Sequence, residues 1–184
     1  METNEPERIV TAVANTAGLD LDNEVVLPDG VEMDDRQQPA YFKTSRAILL
    51  NHDPNQPVGS MMNARRQNGS WVIQFRMSDK TQLARDTFGL IIDGVIRGVS
   101  IGFQALRAEP PTDEEVETYG PARSIVKAWR WLETSVTPIP ANPEAWITSV
   151  KSGEIHPDDD LCRELARRVK VGAIDVRTAT PNSA

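Results

Sequence analysis

The chain has 184 residues, a net charge of −7 at pH 7 and a sequence pI near 4.9, with 39% hydrophobic and 26% charged side chains. This length suits one compact domain, and the acidic balance argues against a protein that binds nucleic acid through a broad basic surface. The sequence has no apolar run of about 18 residues that could span a membrane, and its acidic N-terminus is not typical of a secretory signal. The single cysteine, Cys162, excludes an internal disulfide and fits a reducing compartment.

The first half of the chain predicts mostly strands. Residues 8–14 and 24–27 are rich in β-branched side chains. Residues 47–50 form a continuous apolar run, which is typical of a short strand buried on both faces. Residues 70–77 alternate, and the Asn-Gly pair within residues 67–69 predicts a hairpin turn before them. The apolar face of this strand consists of Trp71, Ile73, Phe75 and Met77.

A helix is predicted for residues 80–93. Apolar side chains recur there at helical spacing, and Ser78 or Asp79 can cap the first turn. Gly94 follows at the place where a helix commonly ends in the left-handed conformation.

The second half predicts two strands separated by a loop. Residues 95–108 and 125–136 have strand character, whereas residues 109–121 contain three prolines and five acidic side chains and predict an exposed loop. Near the end of the chain, residues 158–169 predict a short helix, and residues 178–184 predict a flexible tail.

Three side chains suggest nucleophilic catalysis. A serine hydroxyl is a poor nucleophile until an imidazole takes its proton and a third group holds that imidazole. Ser100 lies in an apolar strand between Gly98 and Gly102, and small residues there would let another backbone approach. His52 follows a predicted strand end, from which its ring can leave the core. Glu133 lies in a mostly apolar strand, where a carboxylate needs hydrogen bonds to offset its burial.

Each role has a weaker alternative. Ser135 is a rival nucleophile, because it lies two residues from Glu133 and shares its strand face. His156 is an alternative to Glu133 as the residue that holds His52. Asp53 is a poor partner for His52, because adjacent strand residues point in opposite directions.

Three motifs, taken in their order along the chain, resemble those of a known protein family. The first runs from Leu49 to Pro54 with Pro57-Val58-Gly59 after it, the second covers residues 92–103, and the third covers residues 132–145. Together they resemble the prohead serine protease family of tailed bacteriophages, over residues 8–146. The last two motifs are long and specific. The resemblance identifies His52 as the catalytic histidine, Ser100 as the nucleophile and Glu133 as the acidic residue of the third motif.

The resemblance also implies a fold and a place of action. The fold is α+β and mostly β, a small closed β-barrel flanked by a few helices, similar to herpesvirus assemblin. We expect residues 1–150 to form this catalytic barrel and residues 151–184 to form a C-terminal helix and a flexible tail. Family members process capsid precursor and scaffold proteins inside the immature prohead in the host cytoplasm. We expect the same substrates here, with self-cleavage, no metal or other cofactor, no membrane or nucleic-acid partner, and either a homodimer or a higher homo-oligomer.

An oxyanion hole is also needed, and backbone N–H groups usually provide it. Ala141 and Asn142 are the candidates, because the prolines before them prevent ordinary strand pairing; Gly102 is a candidate for substrate contact, and Arg97 could instead supply positive charge.

Two other functions stay open. One is a non-catalytic capsid-assembly or scaffold protein that retains the protease fold. The other is an esterase, because residues 98–102 match the letters of a Gly-x-Ser-x-Gly elbow. That elbow requires a helix after the serine, and the sequence predicts a continuing strand.

Overall fold

A computed structural model describes residues 7–151 of the chain. The predicted last helix and tail, with Cys162 and His156, lie outside these residues. Eight strands and two α-helices are present in the described part: β1 (Ile9–Asn15), β2 (Glu24–Val26), β3 (Ala47–Leu50), β4 (Asp53–Gln67), β5 (Ser70–Met77), α1 (Gln82–Ile92), β6 (Gly98–Glu109), α2 (Asp113–Tyr119), β7 (Ser124–Thr137) and β8 (Ile147–Lys151). Neither helix is long and apolar enough to cross a bilayer.

The strands form one mixed sheet that is mostly antiparallel. Its order is β2-β7-β3-β4-β5-β1-β8, and β6 pairs with β7. β2 and β3 both lie parallel to β7 and β6 is antiparallel to it, so this 14-residue strand has three neighbours in the sheet.

The expectation of a closed barrel was wrong, because the sheet does not close. Closure would require a ladder between β6 and β8, and within the described residues these edges meet at an isolated bridge between Gly98 and Trp146. The segment before β8 contains Pro138, Pro140 and Pro143. Proline lacks the N–H that a ladder needs. Backbone hydrogen bonds from Val99 to Ala145 and from Ile147 to Arg97 flank the bridge, so contact between the two edges is confined to the start of β6.

The core lies on one face of the sheet and is rich in aromatic side chains. The predicted alternation of β5 is confirmed: Trp71 and Phe75 are buried. Trp131 of β7 packs edge-on against Trp71, with 5.8 Å between ring centroids. The indole N–H of Trp131 donates to the carbonyl oxygen of Glu133 at 2.9 Å, so a core side chain helps to fix the backbone at that position.

Most predicted elements are confirmed, with three differences. Helix α1 is capped by Thr81, whose side chain accepts from the N–H of Ala84, and not by Ser78 or Asp79. The predicted loop at residues 109–121 contains α2. Thr112 and Glu115 form a capping box there, which stabilises a short acidic helix at its N-terminus.

The third difference is β4, which the sequence pattern did not predict. Its first part contains Pro54 and Pro57, and register shifts beside β3 accommodate them. The predicted turn at Asn68 and Gly69 is confirmed, and both residues have positive φ.

Candidate active site

The pairing of β6 with β7 brings two distant sequence motifs together. Ser100 lies directly opposite Ser135, and Gly102 lies opposite Glu133. Opposed residues in an antiparallel pair point to the same face, with Cβ atoms about 4.5–5.5 Å apart. The core-facing neighbours Val99 and Val136 occupy the other face. The candidate site therefore lies on the side of the sheet opposite the core.

His52 occupies a tight turn, not the end of a strand. Leu50 pairs with Asp53, so Asn51 and His52 are the two central residues of a hairpin between β3 and β4. Both have positive φ, 53° and 60°, as a type I′ turn requires. This conformation is costly for any residue other than glycine, and surrounding contacts must stabilise it. The N–H of Asn51 donates to the carbonyl oxygen of Val136 at 3.2 Å.

A hydrogen-bonded network joins this turn to β7. The Nδ1 atom of His52 lies 2.5 Å from Oε1 of Glu133. Ser135 donates its hydroxyl to Oε2 of Glu133 at 2.9 Å and accepts from the backbone N–H of His52 at 2.9 Å. Because a carboxylate only accepts, Nδ1 carries the proton in the neutral ring and Nε2 has the lone pair. From the sequence, Ser135 was predicted only as a rival nucleophile. Its position two residues from Glu133 was the available signal.

The contact with Glu133 perturbs the titration of the imidazole. The hydrogen bond to Glu133 raises the pKa of His52 above 6.5; partial burial opposes this shift and the charge of the carboxylate adds to it. The His52 side chain is 43% exposed and the Glu133 side chain 19% exposed. The Glu133 carboxylate is therefore largely enclosed, while the imidazole ring of His52 remains accessible to an incoming molecule.

Ser100 is in the neighbourhood of this network without being bonded to it. Its relative exposure is 5%. Within residues 7–151, neither the Ser100 hydroxyl nor Nε2 of His52 makes a hydrogen bond. Contacts between a nucleophile and its base are commonly loose before substrate binds. The ladder nonetheless brings Ser100 and Glu133 to one face, and the contact with Glu133 holds the His52 ring on the same side.

Asp53, which was expected to be a poor partner for His52, and Arg97, the alternative source of positive charge, have partners outside the network. The carboxylate of Asp53 accepts from the backbone N–H of Asn55 at 2.8 Å and from Gln56 at 2.7 Å, which lowers its pKa. The guanidinium of Arg97 donates to the carbonyl oxygen of Gly94 at 2.8 Å.

The space above Gly102 is filled by Glu133. A Cβ atom added at Gly102 would overlap Oε1 of Glu133 and lie 2.8 Å from its Cδ atom. The absence of a side chain at position 102 therefore allows the carboxylate to lie flat across β6 and reach His52. From the sequence, Gly102 was predicted to allow the approach of a substrate.

The loop after β7 lies beside Ser100. Ala141 and Asn142 line a cavity of about 30 Å³ together with Ser100. The Asn142 side chain donates to Oγ1 of Thr16 at 3.0 Å and accepts from the N–H of Glu144 at 2.9 Å, which fixes the loop. Within the described chain, the backbone N–H groups of Ala141 and Asn142 donate no hydrogen bond.

Comparison with known proteins assigns the family. The model of the caudovirus prohead serine protease family matches residues 15–160. The chain belongs to this family of peptidases. The match covers all three residues of the network and the predicted nucleophile.

Relatives are found among phage proteins. The chain is 29% identical to a capsid polyprotein of Pseudomonas phage PAJU2 over 187 aligned positions, covering 98% of this chain and 24% of that protein. It is 27% identical to the prohead protease of Escherichia phage T5 over 147 positions, covering 80% of this chain and 65% of that protein. The chain thus spans less than two thirds of the length of either relative.

Among solved structures, the chain is similar to the KSHV protease in complex with a hexapeptide phosphonate inhibitor. The TM-score is 0.39 and the identity 12%, over 77% of this chain and 64% of the other.

Proposed function

We propose that this protein is a serine endopeptidase in which Ser100 is the nucleophile, His52 the general base and Glu133 the residue that orients His52. The observation that carries the proposal is the 2.5 Å contact between Nδ1 of His52 and the Glu133 carboxylate, on the sheet face that also carries Ser100. This contact leaves Nε2 as the basic nitrogen.

The proton transfers follow from this arrangement. Nε2 of His52 takes the hydroxyl proton as Oγ of Ser100 attacks the scissile carbonyl carbon. Glu133 stabilises the imidazolium that forms. The imidazolium then returns its proton to the leaving amine, and the C–N bond breaks to give an acyl-enzyme. Water, deprotonated by the same imidazole, attacks the ester and releases the acid and Ser100.

The N–H groups of Ala141 and Asn142 are proposed as the oxyanion hole. They are unpaired within the described residues, and they line the cavity that Ser100 also lines. Two prolines, Pro140 and Pro143, flank them and restrict the backbone that presents these donors. Each such donor contributes about 2.7–4 kcal/mol to transition-state stabilisation.

The proposed substrates are the capsid precursor and scaffold proteins, and the chain itself, inside the phage prohead in the host cell. Membership in the prohead protease family and the names of the two phage relatives support this assignment. Residues 104–108 of β6 are exposed. Within the described residues, β6 has a ladder with β7 only, so an extended substrate could pair with its other edge. A self-association of protomers is also proposed.

Co-expression with the capsid and scaffold proteins of the same phage tests the proposal. We expect shortened capsid products with the wild-type chain and with Ser124→Ala, and none with Ser100→Ala. Ser124 is a matched control on β7, because its hydroxyl makes no hydrogen bond within the described chain. Cleavage that persists in Ser100→Ala would refute the assignment of the nucleophile.

A second function, a non-catalytic capsid-assembly or scaffold role, is favoured by one observation: a relative is named as a capsid polyprotein. In that case the wild-type chain would support shell assembly in the same experiment with no shortened product. The presence of a hydroxyl, an imidazole and a carboxylate on one face favours the peptidase.

A further inference from the structure

The Ser135 side chain is the most constrained polar group near the candidate nucleophile. It is fully buried, at 0% exposure. Its oxygen serves two partners at once, since it donates to the Glu133 carboxylate and accepts from the backbone N–H of His52, each at 2.9 Å. One hydroxyl therefore fixes both the carboxylate and the backbone of the residue that this carboxylate orients.

We propose that Ser135 is a positioning residue, which locks the Glu133 carboxylate and the His52 turn into the geometry that presents Nε2 of His52 to Ser100. This inference rests on the proposed function and adds Ser135 to the proposed set of Ser100, His52 and Glu133.

Ser135 restrains the turn that contains His52. His52 has φ of 60°, a conformation that side chains other than glycine adopt at a cost. Its backbone N–H would be free to reorient without a partner, and the hydroxyl of Ser135 supplies that partner. The parallel pairing of Leu50 with Val136 ends at this turn, so Ser135 extends the attachment of the turn to β7 by a side-chain contact.

Ser135 also restrains the Glu133 carboxylate. Glu133 has several rotatable bonds, and a single contact with His52 would leave its plane free to rotate. The bond from Ser135 engages Oε2 while Oε1 engages Nδ1 of His52, so both oxygens are fixed. Bonds to an ionised acceptor are about twice as strong as neutral ones, which makes this hydroxyl an effective restraint.

The bonds of Ser135 do not suit it to the role of nucleophile. Its hydroxyl proton is already donated to a carboxylate and its oxygen accepts a backbone N–H, so it is neither free nor next to a basic nitrogen. Ser100, directly opposite it on β6, has no such bonds and lines the cavity beside Ala141. The two serines thus form a cross-strand pair with different roles.

The test compares Ser135→Ala, Ser135→Thr and the control Ser124→Ala in the full chain. The assays are cleavage of a capsid-derived peptide and labelling by a serine-directed fluorophosphonate, with the labelled residue mapped by mass spectrometry. We expect Ser135→Ala to lose about 10- to 100-fold in kcat with KM little changed, as for other partners that orient a reactive group. Ser135→Thr keeps a hydroxyl and should recover at least part of the loss. The label should remain on Ser100 in every variant.

A spectroscopic measurement distinguishes positioning from a general loss of stability. The proton between Nδ1 of His52 and Glu133 should give a low-field proton NMR signal in the wild-type chain, and this signal should broaden or shift upfield in Ser135→Ala while the rest of the spectrum stays folded. Wild-type kcat and an unchanged signal in Ser135→Ala would overturn the inference. A label that maps to Ser135 would also overturn it. Activity that persists in Ser100→Ala would instead refute the proposed function.

Discussion

Replacement of Gly102 by alanine is the most informative perturbation of the site, because it moves the Glu133 carboxylate without altering any of the four polar residues. The added Cβ would overlap Oε1 and lie 2.8 Å from Cδ and 2.9 Å from Cγ of Glu133. Ordinary van der Waals contact starts near 3.4 Å, so Cδ must retreat by about 0.6 Å, and Oε1, which the added Cβ overlaps, must retreat by more than that. A flexible glutamate can do this, and the backbone pairing of β6 with β7 should survive.

The consequence should be a large loss of activity in a folded protein. A displacement of about 1 Å in an oriented catalytic group costs roughly 100-fold in rate. We therefore expect Gly102→Ala to lower kcat/KM by about 100-fold, or ~2.7 kcal/mol in transition-state free energy. The pKa of His52 should fall towards its ordinary value, because its main cause of elevation, the hydrogen bond to Glu133, is weakened.

The assay is the pH dependence of peptide cleavage, with Gly89→Ala as a matched glycine-to-alanine control. Nothing lies within 4 Å of a Cβ added at Gly89, which is inside α1, so this variant should keep full activity and gain up to about 1 kcal/mol in stability. The reasoning would be refuted if Gly102→Ala kept its kcat/KM within threefold of wild type and showed the same acid limb.

Four further outcomes are expected. In the wild type, kcat/KM should rise as the pH passes the pKa of His52, which lies above 6.5, because His52 must be neutral to accept a proton. Glu133→Gln should move this acid limb to lower pH and reduce kcat by up to about 10⁴-fold. The part of the wild-type stability that comes from the raised pKa of His52 should be fully present below pH 6.5, should be lost as pH rises through the raised pKa, and should be reduced in Glu133→Gln, as a pH series of urea denaturations would show. Trp71→Ala should lower the free energy of unfolding by about 3–5 kcal/mol, since this side chain is 1% exposed; a value under 1 kcal/mol would contradict its place in the core. Thr112→Ala should cost about 1 kcal/mol or less through loss of the α2 cap, and peptide cleavage should not change.

Local sequence pattern was enough to predict the elements that depend only on neighbouring residues. The alternation that buries Trp71 and Phe75, the hairpin at Asn68 and Gly69, and the helix that ends before Gly94 all follow from neighbouring residues. These signals need no knowledge of the rest of the chain, because side-chain periodicity and backbone preference act over one or two turns.

The sequence also indicated the three polar residues that the sheet collects on one face. A carboxylate in a mostly apolar strand requires a partner, and this requirement indicates Glu133 from the sequence alone. The prediction of a loop at residues 109–121 failed because proline content outweighed the capping box of Thr112 and Glu115.

Tertiary structure alone decided how these residues act on one another. The positive φ of His52, the carboxylate that fills the space above Gly102 and the two bonds of Ser135 all depend on the register between β3, β6 and β7. A shift of one residue in that register would turn every side chain to the opposite face. Strand periodicity states which residues share a face of their own strand. It does not state which residue of a distant strand lies opposite, and the open edge of the sheet between β6 and β8 is set by that same long-range pairing.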